Sequence, residues 1–437
     1  MQSDIRQQRI EDIRRRWQLT TPTGVVVRPM EAAVRALGNI GYDVRAAEAL
    51  LPEGQRLYES GDWDRLLVVI ARIHHALRTA RPIPLPGVER PRTLSEIRAV
   101  LPPSPALPAV DWHDYPRRVF GGWLGKIIGN ALGAPVEGWT AAQIRDRYGD
   151  VANYLTPPSS CNDDTSFPLV LLHTLDTYGP SFTSEQLALT WLERLPVAYT
   201  AEAIALENIR RGIFPPDSAV VDNPFRHWVG AMMKAEIAGW LAPGRPDIAI
   251  ELAYRDAVIA HTTEGVYGAL FVAAMTAAAF VVSDPRQLID IGRCFVPPRS
   301  QFAQIVRQTL DWCRTLPDWT HVADRIASEL GHRYHWIHVF PNAAIVMTAL
   351  WFGAGDFTRS ICIATMCGGD TDTTAGIVGA IIGTMRGVDA IPAKWRMPLG
   401  DRLESFVIGY TCVDIGDIVQ RTVTWGKRCS TSTEGVS

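Results

Sequence analysis

The chain is expected to be all-α. Apolar residues recur at helical spacing through most of its 437 residues. No run of alternating β-branched residues marks a strand. Several segments carry small residues on a single helical stripe, a pattern suited to close helix packing. With 47% hydrophobic and 20% charged residues, the composition is that of a globular protein with a large core, not of a disordered chain.

Residues 4–80 read as a helical module, with apolar spacing clearest around Ala46–Leu51 and Leu66–Ile73. Proline then dominates: Pro82, Pro84, Pro86, Pro91, Pro102, Pro103, Pro105 and Pro108 leave amide donors missing where helices or inner strands would need them. Residues 81–110 are therefore expected to be an extended linker holding one short helix near 94–101, with residues 1–80 a separate N-terminal module. Beyond it, helices are expected at 117–132, 165–178, 183–192, 201–210, 224–241, 247–260, 265–282, 301–316, 321–330, 342–351, 356–366 and 373–385. Residues 265–282 carry no charge, but alanine, glycine and valine with Thr276 and Tyr267 suit a packed central helix better than a membrane span. Residues 429–437 read as a disordered tail.

Acidic and basic residues nearly cancel, at a net charge of −3, so no overall field draws the chain to nucleic acid or to an anionic membrane. Seven scattered cysteines without a Cys-x-x-Cys pair suggest free thiols, and no apolar core follows the charged N-terminus; a cytoplasmic location is expected.

Gly121, Gly125, Gly129 and Gly133 recur at every fourth position, and Ala375, Gly376, Gly379, Ala380 and Gly383 do much the same further on. Each helical glycine costs up to about 1 kcal/mol relative to alanine, and close approach of another backbone is the usual reason to accept it. If these helices pack, Glu137 just beyond the first and the Asp-rich loop preceding the last are expected to share a cleft. That loop, Asp370-Thr371-Asp372-Thr373, follows Gly368-Gly369; a second acidic motif is Asn162-Asp163-Asp164-Thr165.

Adjacent or alternate carboxylates diverge on a regular helix, which places both motifs at helix entries, where the helix dipole favours negative charge. Either motif alone reads as an acidic helix start. Together, four carboxylates, two hydroxyls and Glu137 form an oxygen-only donor set, suited to Mg²⁺ or Mn²⁺ and poorly suited to zinc or copper. His332, His335 and His338, spaced by three, could align on a helix as a rival metal site, but no acidic partner is adjacent. His338 lies near Pro341-Asn342 and is expected to face the cleft, while His261 reads as structural.

Three stretches resemble the ADP-ribosylglycohydrolase family: Gly121 through Glu137, Asn162-Asp163-Asp164-Thr165, and Gly368-Gly369-Asp370-Thr371-Asp372-Thr373-Thr374-Ala375, in that order across roughly residues 111–395. The resemblance implies an orthogonal multi-helix domain, here over 111–428, with the N-terminal module as an extension. It also implies two Mg²⁺ ions, or Mn²⁺, held by Asn162, Asp163, Asp164, Asp370, Asp372 and Thr373. Asn162 stands where the family usually has threonine, and Asn130 where it often has aspartate. By the same resemblance Glu137, Asp164 and Asp370 are catalytic, and Asn162, Trp228, Gly230, His338, Gly368 and Gly369 bind substrate. The implied reaction is hydrolysis of a glycosidic bond to ribose, in an ADP-ribosylated protein or a small ribosyl compound. An N-glycosidase acting on a nucleoside, nucleotide or NAD-derived metabolite, and a non-catalytic ligand-binding protein of the same fold, are the alternatives.

Overall fold

The computed structural model describes residues 2–431. The chain divides into two compact units, Met1–Gly87 with His332–His335, and Val88–Gly331 with Trp336–Ser437.

In the first unit, helices Gln2–Trp17, Pro29–Ile40, Leu51–Ser60 and Trp63–Arg78 turn their apolar faces onto a core of Ile13, Trp17, Val34, Leu66, Val69, Ile70 and Ile73. The Trp17 indole lies flat enough on Gly54 that any side chain there would collide with the ring. Asp62 caps the last of these helices by accepting from the Arg65 amide.

The second unit is built around Thr263–Ala278, in which every residue is buried. This is the uncharged segment read as a core helix; among the described residues no helix is long and apolar enough to cross a membrane. Glu264 sits in its first turn, accepts from the Gln301 and Phe302 amides at 3.3 and 2.8 Å, and lies 3.4 Å from Arg90. In the proline-rich stretch the short helix is present at Leu94–Val100, with a reciprocal capping box between Thr93 and Glu96.

The helices Tyr115–Gly133 and Thr371–Arg386 run antiparallel with their backbones in direct apposition. A Cβ on Gly121, Gly125, Gly129 or Gly133 would strike the carbonyl of Gly383, Gly379, Ala375 or Thr371 in turn. Because the order is reversed, the C-terminal end of the first helix meets the N-terminal end of the second.

The chain is mostly helical, as expected, and the described residues add two short antiparallel hairpins, Leu19–Thr20 with Val26–Val27 and Arg402–Glu404 with Cys412–Asp414. Several other expectations are corrected. No continuous helix spans 224–241. Trp228 instead bridges His338, the Val229 amide donates to Ile337 and the Val339 amide to His227, and only then do a 3-10 turn Val229–Lys234 and a short helix Glu236–Leu241 follow. A helix would use those backbone groups internally. The helix expected at 321–330 runs as Trp319–Arg325 and then widens to a π turn over Ile326–Gly331, after which the backbone is non-helical through residue 338. His332, His335 and His338 thus share no helical face. A helix missed in the sequence, Ile415–Thr431, continues past the expected domain end at 428; it ties down through Trp123 Nε1 to Thr422 Oγ1 and Trp425 Nε1 to Asp176. The remainder of the expected tail, residues 432–437, lies outside the described residues.

Gly379→Ala, a change that would add up to about 1 kcal/mol on an open helix, is expected to lose about 1–3 kcal/mol here, since the methyl meets only a backbone carbonyl. A urea midpoint that stayed put or rose would show that the two helices part freely. Burial pushes Glu264 from 4.5 up to about 7. The folded carboxyl then keeps its proton to higher pH than the unfolded one, so its contribution to stability is full below about 4.5 and is lost as pH rises through about 7. Glu264→Gln should flatten the stability profile across that window; an unaltered slope would assign it to other groups.

Candidate metal centre

Three loops converge where the glycine-paired helices end. The first follows Gly133: a 3-10 turn, Ala134–Val136, delivers half-buried Glu137. The second is the Gly368-Gly369 turn, both residues at positive φ (+75° and +79°), where a side chain on Gly368 would press on the Trp139 carbonyl at 2.6 Å. The two loops are stitched by backbone bonds, Gly138 amide to Gly369 carbonyl and Gly369 amide to Trp139 carbonyl, each 2.8 Å. Thr371 adds a hydroxyl bond to the Gly133 carbonyl at 2.8 Å.

The third is the start of the helix Asp163–Tyr178. Asn162 is its N-cap, its Oδ1 accepting from the Asp164 amide at 2.8 Å. That bond fixes the amide orientation and turns Nδ2 toward Asp372 Oδ2, 2.9 Å away. Thr165 and Ser166 both spend their hydroxyls on the Asn162 carbonyl. Thr373 donates to Asp164 Oδ1 at 3.2 Å.

Glu137, Asp370 and Asp372 offer carboxylate oxygens that all lie within 4.8 Å of one another. Such crowding has a clear electrostatic signature. Glu137 is pushed from 4.5 up to about 9, first by the charge of Asp372 and then by burial. Burial, with Asp372 adding to it, raises Asp163 to about 6 and lifts Asp370 well above the usual carboxylate range. Asp164 is also raised by burial, against the opposing pull of Lys126. Asp372 is 6% exposed and its Oδ1 has no hydrogen-bond partner. A divalent cation with oxygen ligands answers both features: it fills the vacant acceptor and offsets the repulsion. The donor set therefore fits the implied metal.

Behind the carboxylates stands a group that the sequence reading did not identify as part of the site. Lys126, fully buried, donates to the Met233 carbonyl at 2.6 Å and Glu236 at 3.0 Å, and lies 3.8 Å from Asp164 Oδ2. Asn130 donates from Nδ2 to Asp164 Oδ2 at 2.9 Å and to the Asp372 carbonyl at 3.1 Å. A lysine in the middle of a glycine-striped apolar helix was the available signal. A second buried lysine, Lys234 at the end of the 3-10 segment Val229–Lys234, sits with its ammonium over the rings of Phe167 and Trp191, 3.1 Å from Asp256 and 3.9 Å from Glu202.

Of the residues expected to touch substrate, Asn162, Gly368 and Gly369 are at the carboxylates. Trp228 and His338 are buried, 3% exposed or less. Gly230 does not present backbone to an open space: its missing side chain makes room for the Glu202 carboxylate. Trp228 and His338 form the buried bridge, with His338 also capping the helix Val339–Gly353.

The fold and site together define a mostly helical protein with an acidic, oxygen-only cluster that could hold a metal ion. Residues 111–426 match the ADP-ribosylglycohydrolase family, to which the chain belongs. It is 26% identical over 312 residues to the ADP-ribosyl-[dinitrogen reductase] glycohydrolase of Rhodospirillum rubrum, covering 67% of this chain and 92% of that protein. An uncharacterised protein of Archaeoglobus fulgidus is 28% identical over 298 residues, 64% of this chain and 90% of the relative. A solved structure described as an ADP-ribosylglycohydrolase-related protein complex aligns with 73% of this chain and 99% of its own, at 21% identity and a TM-score of 0.48.

Mg²⁺ or Mn²⁺ is expected to raise the melting temperature, by an amount equivalent to about 2.7 kcal/mol at a hundredfold excess over Kd, and EDTA to reverse it. Asp372→Asn should abolish that shift while making the metal-free protein more stable, since it removes the charge that crowds Glu137 and Asp370. Thermal scans that ignore both ions would sink the site.

Proposed function

We propose that the protein hydrolyses the bond between C1 of a ribose and its leaving group in an ADP-ribosyl or related ribosyl compound. The observation that carries this reading is the gathering of Glu137, Asp370 and Asp372 into one oxygen cluster in a chain of this family. Glu137, Asp163, Asp370 and Asp372 would hold a divalent cation, Mg²⁺ or Mn²⁺, which when bound supplies electrostatic polarisation of sugar hydroxyls and water.

Glu137 is the general base. Its carboxylate shares the cluster with Asp370 and Asp372, where a water beside the cation would meet it. It takes a proton from water as the water oxygen bonds to C1; the C1 bond breaks, its electron pair leaves with the departing atom, that atom takes a proton from solvent, and Glu137 returns its own proton to solvent. Positive charge builds on the ring in between, and Asp163 and Asp370 stabilise it electrostatically. The backbone of the Gly368-Gly369 turn, beside these carboxylates, would orient the sugar.

A second reading, an N-glycosidase on a small nucleoside, nucleotide or NAD-derived metabolite, is favoured by one feature. The segment around Trp228 and Gly230, which the resemblance would send toward an ADP moiety, is committed to interior contacts with His338 and Glu202.

Product release from ADP-ribosylated proteins, O-acetyl-ADP-ribose, NAD and simple nucleotides, with Mg²⁺ and with EDTA, tests both readings. Metal-dependent release of a free ribosyl product is expected from one class, lost in Asp370→Ala. Glu137→Gln should lower kcat by about 10²- to 10⁴-fold with substrate binding retained. Full activity in that variant would remove Glu137 from the mechanism.

A further inference from the structure

We propose that the carboxylate site holds a single divalent cation, on the Glu137, Asp370 and Asp372 side, and that Lys126, Asn130 and Asn162 close the opposite side to a second ion. The proposal rests on the metal reading above and adds how many ions bind and why.

A two-ion centre needs oxygen lone pairs free on both flanks, with the ions about 3.5–4 Å apart. On the Asp164 flank those oxygens face N–H and O–H donors. Asp164 Oδ2 accepts from Asn130 Nδ2 at 2.9 Å and faces the Lys126 ammonium at 3.8 Å, while Oδ1 accepts from Thr373. Asp372 Oδ2 accepts from Asn162 Nδ2 at 2.9 Å. The Asn162 amide is held in that orientation, because its Oδ1 is engaged as the helix cap on the Asp164 amide. An amide NH₂ and an ammonium offer donors only, so neither can ligate a cation.

Lys126 is not a mobile counter-ion that an incoming metal could displace outward. Its side chain is fully buried and bonded at 2.6 Å to the Met233 carbonyl and at 3.0 Å to Glu236. A dication beside Asp164 would face this fixed positive charge in a medium that screens poorly. The other flank is built oppositely. Asp372 Oδ1 is buried with no partner, and an oxygen from each of Glu137, Asp370 and Asp372 lies within 4.8 Å of the other two.

Mn²⁺ titration of the metal-free full chain by calorimetry, with electron paramagnetic resonance of the loaded protein, tests this without reference to turnover. One equivalent with the spectrum of an isolated ion is expected. Two equivalents with an exchange-coupled spectrum would overturn the proposal and leave the metal reading standing; no binding would overturn both. Asn162→Asp keeps the cap acceptor and replaces the NH₂ with an oxygen, and Lys126→Met removes the ammonium. The double variant should take up a second equivalent of Mn²⁺. Circular dichroism establishes that it is folded; if Lys126→Met prevents folding, Lys126→Gln, which also removes the charge but keeps a polar end for the Met233 carbonyl, takes its place beside Asn162→Asp and should likewise admit the second equivalent. A folded variant that remains at one equivalent would overturn the assignment of the closing role to these residues.

Discussion

The distance between two backbones governs this site. Along Tyr115–Gly133 and Thr371–Arg386, glycine faces carbonyl at each turn, and the helices sit closer than any pair with side chains between them. An antiparallel arrangement at that separation leaves the ends no freedom: Glu137 emerges beside the loop that carries Asp370 and Asp372. Each helical glycine lowers intrinsic helix stability by up to about 1 kcal/mol, so the pair is held by tertiary packing and by the bonds that stitch the loops, not by propensity. The same packing forces carboxylates together that would otherwise separate.

That crowding has consequences in both directions. Glu137, Asp163, Asp164 and Asp370 all hold protons more strongly than ordinary carboxylates, through burial and mutual charge. A metal-free site of this kind is a destabilised part of the fold, and a bound cation relieves it. The protein also has internal counter-charges. Lys126 lies behind Asp164, and Lys234 rests on Phe167 one turn further along the same helix. Buried lysines of this sort contribute little net stability unless every partner is in place. Their value here lies in fixing where negative charge is compensated and where it is left open, and this asymmetry distinguishes the Asp372 side from the Asp164 side.

Much of the fold was legible because helical periodicity is a local signal. The long apolar helices, the short helix among the prolines and the glycine stripes were all visible in residue spacing. Three regions were not. At 224–241 the apolar pattern suits a helix, but pairing of Val229 and Val339 with the distant segments at Ile337 and His227 claims the backbone instead. Around His332, His335 and His338 the spacing suggests one face, while a π turn and the successive turns after it remove the helix that would make it. The helix Ile415–Thr431 holds Gly416, Gly426 and several β-branched residues, which lower its intrinsic helix propensity, and it is fixed by tertiary bonds from Trp123 and to Asp176.

The sequence by itself determined the helical class, the two acidic motifs, their place at helix entries and the hard-oxygen character of the donors, since each depends on residue type and near-neighbour spacing. Only the tertiary structure decided which oxygens meet. It joined Glu137 to Asp370 and Asp372, turned the Asn162 amide so that it donates to Asp372, and set a buried lysine behind Asp164. It also withdrew Trp228, Gly230 and His338 into interior contacts. These outcomes depend on side chains 34 to 242 positions apart in the chain, such as Asn130 with Asp164 and with the Asp372 carbonyl. No local pattern encodes a contact at that separation; it exists only once the helices have packed.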